Sequence, residues 1–443
     1  MGNLTFLTRA EIESLGPPTP EDIVEMEVSE SFLRDLALQH LASLSDTTTA
    51  AVAERLRLPI ALTDELLYQL YREKLIEIRL QSALGLTRYA MLDAGWERSE
   101  RVRQQCGYLG PAPVTLQDYS HMMRLQARPI RPASMGVVRD AFSDLVLPNS
   151  LLKTLGCAIN SRSSLFLTGL PGTGKTAISE RMNAALGGTI WIPYAIEIDR
   201  QIIRVFDPHC HQQVVEDRAN EYDRRWVKIA RPMVMVGGEL TLENTDLTWS
   251  DNARFYEAPF QMKSNGGTLI IDELGRQRVS SKDLLNRWIL PLERRMDFLT
   301  LHSGKKFEVP FEQLVVFSTN LNADEFVDEA FLRRMGYRAK LELPTANAYS
   351  EIFRRAASAR GIAVEESVIG YLIGKYEDNK RPMKCCEPRD LLNRMSDICM
   401  LEGQPLRVSS TLIDTAWENY FGKGHTFDDY HGSTRVQAQA AVV

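Results

Sequence analysis

One short segment of the chain has the residue types and spacing needed to hold a chain of phosphates. The segment 169–176 reads G-x-x-x-x-G-K-T, with an apolar run before it and a helical pattern after it. Its glycines let backbone N–H groups surround phosphate oxygens, Lys175 can reach the terminal phosphates, and Thr176 can hold Mg²⁺. The predicted nucleotide-binding residues are Gly169, Pro171, Gly172, Thr173, Gly174, Lys175, Thr176 and Ala177.

Two further apolar runs end in polar side chains. Residues 268–271 lead into Asp272 and Glu273, and residues 314–319 lead into Asn320. We expect Asp272 to bind Mg²⁺ together with Thr176, and Glu273 to polarise the attacking water. Asn320 would orient that water against the γ-phosphate. The sequence therefore predicts an ATPase that uses ATP and Mg²⁺.

These three segments, in this order, resemble those of the AAA+ ATPases. The resemblance covers about residues 136–422, where strands and helices alternate before a helical region. It implies an α/β fold, in which a P-loop parallel sheet flanked by helices is followed by a helical lid. It also implies a homo-oligomeric ring, commonly a hexamer, because each site takes an arginine from the neighbouring subunit.

Two arginines are assigned by the same resemblance. The segment 328–335 resembles the one that carries the arginine finger, which implies that Arg334, or else Arg333, enters the neighbouring site and neutralises transition-state charge. The segment 387–392 resembles the sensor 2 region, which implies that Arg389 contacts the γ-phosphate from the lid. The expected catalytic residues are thus Glu273, Asn320, Arg334 and Arg389.

Two hairpins are expected as inserts in this domain. The stretch from Lys175 to Asp272 is longer than is usual in the family, and residues 231–242 have β character around a Gly-Gly pair. A second hairpin pattern covers residues 298–309. Two such inserts are similar to the branch that holds MoxR-like and magnesium-chelatase ATPases, enhancer-binding activators and replicative helicases. In that branch the hairpins usually face a pore and grip a partner. For the aromatic pair Phe255 and Tyr256, core packing is favoured over a place in the pore.

The N-terminal part is expected to form a small α+β module. Residues 31–106 show three helical patterns, a hairpin pattern at 75–91 and a last helix from about 93 to 105, which resembles a winged helix. Residues 1–110 hold 11 basic and 17 acidic side chains. Since phosphates repel such a module, contact with a protein is favoured over contact with DNA.

The remaining divisions follow from composition. We expect an N-terminal extension at 1–30, a proline-rich linker at 107–135, the ATPase domain at 136–345, the lid at 346–422 and a disordered tail at 423–443. The net charge of −6 argues against a general nucleic-acid binder, and no apolar run is long enough to cross a bilayer. We also find no secretory signal, so a cytoplasmic location is predicted. The triplet 209–211, His-Cys-His, is not expected to bind a metal, because adjacent side chains rarely point at one ion.

Three uses of the predicted ATPase compete. The first is remodelling or assembly of a protein complex by a ring-shaped motor, with the N-terminal module as adaptor. The second is work on DNA, such as helicase loading, transposition or transcription, through a winged helix. The third is a slow ATP-dependent switch that regulates a partner. The acidic N-terminal module favours the first.

Overall fold

The structure is a computed structural model, which describes residues 16–44, 46–81, 87–127, 132–215, 222–321 and 329–422. The tail predicted at 423–443 lies outside these ranges, as does most of the extension predicted at 1–30. The strands are β1 (Asp46–Thr48), β2 (Ile76–Gln81), β3 (Thr87–Met91), β4 (Val114–Thr115), β5 (Leu165–Gly169), β6 (Thr189–Pro193), β7 (Ala195–Ile198), β8 (Gln201–Arg204), β9 (Trp226–Ala230), β10 (Met233–Val236), β11 (Thr248–Ser250), β12 (Phe255–Glu257), β13 (Thr268–Ile271), β14 (Met296–Thr300), β15 (Lys306–Pro310), β16 (Leu314–Thr319) and β17 (Tyr337–Leu341).

The α-helices alternate with these strands and then continue alone to residue 421. They are α1 (Glu30–Leu44), α2 (Thr49–Leu56), α3 (Ile60–Arg72), α4 (Asp93–Gln105), α5 (Leu116–Ala127), α6 (Met135–Ala141), α7 (Asn149–Ser161), α8 (Lys175–Leu186), α9 (Phe260–Lys263), α10 (Ser281–Arg294), α11 (Glu329–Leu332), α12 (Ala346–Ser358), α13 (Glu366–Asp378), α14 (Glu387–Glu402) and α15 (Ser410–Phe421). Among the described residues, no helix combines the length and the hydropathy needed to cross a membrane.

A five-stranded parallel sheet forms the centre of the molecule. Its strand order is β10-β13-β16-β5-β17. Side chains alternate between the faces of a strand, so Leu314 and Val316 of β16 pack against α7 and α8, while Val315 and Phe317 pack against α10. Both faces are therefore covered, as expected of a parallel sheet. This arrangement confirms the predicted α/β fold.

The hairpin predicted at 231–242 is wrong. Met233–Val236 is instead the edge strand β10, which pairs in parallel with β13. Gly237 and Gly238 belong to the loop that leaves the carboxyl end of this strand. The prediction failed because four apolar residues before Gly-Gly look the same in both arrangements, and the partner strand lies some thirty residues further along the chain.

The insert before β10 has a different form. β6 and β9 pair antiparallel, and β7 and β8 form a hairpin whose two turn residues, Asp199 and Arg200, have φ angles of 52° and 64°. β7 and β8 belong to a second sheet of order β11-β12-β8-β7-β4. The other predicted hairpin, at 298–309, is confirmed, because β14 and β15 pair antiparallel.

The N-terminal module contains the elements predicted from the sequence. Helices α1 to α4 surround a three-stranded antiparallel sheet of order β1-β3-β2. Thr48 caps α2 by accepting a hydrogen bond from the N–H of Ala51. The buried cluster of this module extends into the second sheet, through Ala195, Ile202 and Phe255. The module and the insert therefore share one apolar interior.

The described part of the segment 107–135 is folded, whereas the sequence predicted a linker there. Its described residues include β4, which pairs with β7, and the helix α5. Tyr108 is buried in the N-terminal cluster, and Tyr119 and Met123 are buried against β6 and β9. Proline content indicated an extended segment here, whereas the apolar side chains between the prolines make it part of two cores.

The last four helices, α12 to α15, form a separate helical domain with its own core. Tyr349, Tyr376 and Trp417 are buried at its centre, and the rings of Tyr376 and Trp417 lie 4.8 Å apart in an edge-to-face arrangement. This domain follows β17 along the chain and carries the predicted lid residue Arg389 near the start of α14. The helical part of the predicted fold is therefore present.

Candidate functional site

The loop between β5 and α8 has the backbone shape of a phosphate cradle. Gly172 and Gly174 have φ angles of 83° and 94°, a region that residues with a side chain rarely adopt. The Thr173 hydroxyl donates a hydrogen bond to the carbonyl of Leu170 at 2.8 Å and closes the loop on itself. A Cβ added at Gly174 would meet nothing within 4 Å, so the loop leaves open space in front of the first turn of α8. That turn presents free N–H groups to this space.

Lys175 folds back over this loop. Its Nζ donates hydrogen bonds to the carbonyls of Gly169 at 2.7 Å and Leu170 at 3.1 Å. Burial lowers the pKa of Lys175, while the charges of Asp272 and Glu273 act in the opposite direction. Carbonyl groups and nearby carboxylates thus hold the ammonium group at the loop. An anion bound there would raise the pKa of Lys175 and so favour its charged form.

The two segments predicted to share a metal are in direct contact. The Thr176 hydroxyl donates to Oδ2 of Asp272 at 2.8 Å, although 96 positions separate the two residues. Asp272 directly follows β13, and its N–H donates to the carbonyl of Val236 at the end of β10. A hydroxyl and a carboxylate at this distance are oxygen ligands of the kind that Mg²⁺ accepts.

The turn that carries Glu273 is held by several hydrogen bonds. Glu273 has a left-handed backbone, with φ of 53°, and its N–H donates to Oδ1 of Asp272 at 2.9 Å. Gln277 donates from Nε2 to the carbonyls of Asp272 and Glu273, at 3.1 and 3.2 Å, and accepts from the N–H of Gly275. The sequence reasoning did not single out Gln277. Its signal was its place four residues after the second carboxylate.

Asn320 follows β16, which lies between β13 and β5 in the sheet. Parallel strands end at the same edge, so Asn320, Asp272 and the phosphate-cradling loop lie on one side of the sheet. Oδ1 of Asn320 is buried and has no hydrogen-bond partner within the described structure. A buried acceptor without a partner is costly, which indicates that a ligand or water belongs next to it.

A cavity of about 390 Å³ lies between the loop and the helical domain. Arg389 lines it, as the lid assignment expected, and its Nε donates to Asp390 at 3.2 Å. The lining residues that the sequence reasoning missed are Asp144, Leu145, Val146, Leu147, Ile178, Ile352, Cys385 and Cys386. The apolar run 145–147 just before α7 and the cysteine pair just before α14 were the available signals.

Two hydrogen bonds to backbone carbonyls join the helical domain to the sheet domain at this cavity. The N–H of Cys386 donates to the carbonyl of Gly172 at 3.2 Å. Arg355 of α12 donates from Nη1 to the carbonyl of Ser143 at 2.7 Å, beside the apolar run that lines the cavity. Asp144, directly before that run, pairs with Arg181 of α8, whose hydrogen bond lowers the pKa of the Asp144 carboxyl. The cavity is therefore bordered on both sides by anchored segments.

Arg334 and Arg333 lie elsewhere. Arg334 donates from Nε to Glu293 at the end of α10, at 3.1 Å, and its side chain is 31% exposed. Neither arginine is among the residues lining the cavity at the loop. The cavity lining thus contains Lys175, Thr176 and Arg389, and Asp272 joins them through its hydrogen bond with Thr176. Glu273 and Asn320 are not part of this lining, nor are the two candidate finger residues.

His211, Phe255 and Tyr256, which were considered as candidates for other roles, have structural roles. Nδ1 of His211 accepts from the N–H of Asp207, and Nε2 pairs with the carbonyl of Lys263. Within the described ranges, no cluster of three or more metal-binding side chains is found. Phe255 and Tyr256 are buried in the two neighbouring clusters, which agrees with core packing.

The cradle, the cation and the oxygen pair together fit a magnesium-bound nucleoside triphosphate. The loop and the first turn of α8 offer N–H donors, Lys175 offers a positive charge, and Thr176 and Asp272 offer oxygen ligands. The apolar side chains of Val146, Leu147 and Ile352 are suited to the flat face of a base.

A family model described as a domain of unknown function, DUF8689, matches residues 345–419. No curated protein matches the chain. Among solved structures, the RuvB Holliday junction branch migration motor of Thermotoga maritima is 15% identical, with a TM-score of 0.36, over 62% of this chain and 69% of that chain. NtrX from Brucella abortus in complex with ADP is 16% identical, with a TM-score of 0.40, over 66% of this chain and 60% of that chain. In fold, the chain is an α/β protein whose central parallel sheet carries a P-loop and is followed by a helical domain.

Proposed function

We propose that this protein is an ATPase of the AAA+ type, which hydrolyses ATP to ADP and phosphate. The observation that carries the proposal is the contact of Thr176 with Asp272 beside Lys175, at the edge of the sheet where Asn320 has an unpaired acceptor. A triphosphate would lie on the loop 169–174, with Mg²⁺ held by Thr176 and Asp272. When bound, Mg²⁺ would neutralise charge on the phosphate oxygens.

The chain's own residues then have distinct tasks. Lys175 and the N–H groups of the loop bind the phosphates, and Glu273 accepts a proton from the attacking water or orients it by hydrogen bonding. Asn320 positions the same water. Arg389, from the lid, stabilises charge that develops on the γ-phosphate. The lid closes the cavity on the side opposite the loop and limits access of bulk water.

We further propose that the site is completed by a neighbouring copy of the chain. Arg334 lies outside the cavity at the loop, next to Glu293. The resemblance to the AAA+ ATPases assigns this segment to the arginine finger, so Arg334 would act on a second subunit's nucleotide. A closed ring, in which every site takes one arginine from next door, is the simplest assembly that satisfies this.

For the use of the ATPase cycle, we propose remodelling of a protein complex. On α3, Tyr68 and Tyr71 are exposed, and Asp64 and Glu65 of the same helix are exposed beside them. Tyrosines suit protein interfaces, whereas carboxylates oppose approach to DNA phosphates. An electrophoretic shift with duplex and single-stranded DNA, at stated salt, separates this use from a DNA-associated one.

The central test uses two variants of the site. Lys175→Ala should lose binding of Mg·ATP, because the loop loses its cation. Glu273→Gln should bind Mg·ATP as the wild type does, because glutamine has the shape of glutamate. Its turnover should fall at least about 100-fold, because the amide lacks the negative charge that acts on the attacking water. Fluorescence titration with a labelled nucleotide and a phosphate-release assay measure the two effects.

The matched control is Glu402→Gln, which makes the same change on the surface of the lid and should leave both quantities unaltered. Rapid turnover by Glu273→Gln would contradict the assignment of that residue. Particle imaging of Glu273→Gln with Mg·ATP would show whether a ring forms, and a monomer that hydrolyses ATP at the full rate would contradict the ring.

A further inference from the structure

A buried carboxyl group lies at the start of the helix that carries Arg389. Glu387 is 3% exposed, and its Oε2 accepts hydrogen bonds from the N–H of Lys384 at 2.9 Å and from the hydroxyl of Tyr376 at 2.8 Å. Tyr349 extends this chain by donating its hydroxyl to that of Tyr376 at 2.9 Å. Residues from α12, α13 and α14 are therefore joined by one hydrogen-bonded network.

The network is not needed to fill the core of the helical domain. Trp417 and Phe421 already pack around the ring of Tyr376, and their edge-to-face contacts do not involve its hydroxyl. Burial raises the pKa of Glu387, which shows that the surroundings oppose its charge. A buried polar network of this kind costs free energy, and what it supplies in return is a defined geometry.

The geometry that it defines is that of the segment 384–386. This segment lies between the network and the phosphate-cradling loop, since Glu387 holds the N–H of Lys384 while the N–H of Cys386 donates to the carbonyl of Gly172. A Cβ added at Gly172 would lie 2.7 Å from Sγ of Cys386 and 3.3 Å from Lys384. The segment thus packs directly on the backbone of the loop, at a glycine.

We propose that Glu387 is a positioning residue, which holds segment 384–386 against Gly172 and thereby keeps the phosphate-cradling loop in its nucleotide-binding shape. The inference rests on the proposed ATPase function for its consequence, but the contact itself exists without nucleotide. Arg389 is two residues beyond Glu387 on α14, so the same network fixes the helix from which that arginine reaches the cavity.

The test compares the full-length wild type with two conservative variants. Tyr376→Phe removes one hydroxyl from the network, and Glu387→Gln removes the charge while preserving the shape. Glu377→Gln, an exposed acid next to Tyr376 on α13, is the matched control. Three quantities are measured for each: the Kd for Mg·ADP, the melting temperature, and hydrogen–deuterium exchange of the Cys386 amide without nucleotide.

We expect both network variants to raise the Kd for Mg·ADP about five- to tenfold, because Tyr376→Phe deletes one hydrogen bond to Oε2 of Glu387 and Glu387→Gln replaces the carboxyl acceptor by a weaker amide oxygen. The Cys386 amide should exchange faster by a similar factor. ADP is used because it lacks the γ-phosphate, so a change in Arg389 alone would not alter the result. Glu377→Gln should match the wild type in all three measurements.

A lower melting temperature with unchanged Kd and unchanged Cys386 exchange would assign the network a merely structural role and would overturn the inference. Unchanged values of all three quantities would overturn it as well. Failure of the wild type to bind Mg·ADP or Mg·ATP would instead overturn the proposed function, while Cys386 exchange would still decide whether Glu387 holds the segment on the loop.

Discussion

Glu273 has a backbone conformation that few residues with a side chain adopt. A left-handed residue of this kind costs about 1–2 kcal/mol, so other contacts must hold it. Gln277 supplies them, since its side chain donates to the carbonyls of both Asp272 and Glu273. The direction in which the Glu273 carboxylate points therefore depends on a residue that has no part in the expected motifs.

We predict that Gln277→Glu impairs hydrolysis more than nucleotide binding. Glutamate has the same shape but cannot donate to the two carbonyls, so the turn at Glu273 loosens while the loop at Lys175 is untouched. The expected result is a fall in kcat of about tenfold, with a change in the Kd for Mg·ATP below about twofold. Steady-state kinetics and nucleotide titration measure these two quantities.

Gln404→Glu, at an exposed position after α14, is the matched control for this charge change. An unaltered kcat in Gln277→Glu would show that the turn keeps its shape without the two hydrogen bonds. Equal losses in binding and in kcat would place the effect at the loop instead.

At the scale of elements, the sequence predicts strands and site residues best where the polar residue directly follows its strand in the chain. The strands β5, β13 and β16 were predicted together with the residues that follow them, because each is an apolar run of ordinary strand length. β10 was taken for half of a hairpin, since nothing local distinguishes a parallel edge strand from a hairpin strand. The cavity residues 144–147 were missed because their role depends on α12 packing across from them.

Two histidines packed between elements should make stability depend on pH. Burial lowers the pKa of His40 on α1 and of His211 before β9 from an ordinary value of 6.5. The unfolded chain therefore binds protons more readily than the folded one. The free energy of unfolding should be highest above pH 6.5 and should fall as the pH drops below that value, which urea titrations at pH 7.5 and 5.5 would measure.

The double variant His40→Gln/His211→Gln should lose most of this difference between the two pH values. His121→Gln, at an exposed position on α5, should retain it. A slope that is the same in the double variant and in the wild type would assign the acid sensitivity to other groups.

At the scale of the whole molecule, the sequence indicated the parts but not how they combine. The N-terminal module was predicted as a unit that a linker separates from the rest. In the structure, Gly107 donates to the carbonyl of Ala253, and Ala112 donates to that of Leu56, so the supposed linker is hydrogen-bonded on both sides. Such contacts join residues far apart in the chain, and no local pattern reveals them.

Mixing inactive subunits tests whether sites are shared between copies. Lys175→Ala leaves Arg334 intact, and Arg334→Ala leaves the loop intact, so each variant alone should have little activity. If subunits combine at random in a ring, about a quarter of the sites in an equal mixture join an intact loop to an intact arginine. The mixture should then regain about a quarter of the wild-type rate of phosphate release.

A parallel mixture with Arg333→Ala in place of Arg334→Ala decides between the two arginines. A mixture that remains as inactive as its components, under conditions in which the wild type forms oligomers, would contradict the shared site.

The interior that the N-terminal module shares with the insert also determines where the chain can be shortened. Ala195, Ile202 and Phe255 belong to the second sheet, yet they are covered by side chains from the first 112 residues. Removal of those residues would open a contiguous apolar surface to water and promote association of the truncated protein. A minimal version of the nucleotide-binding domain must therefore either keep residues 16–112 or replace the apolar side chains of the second sheet that they cover.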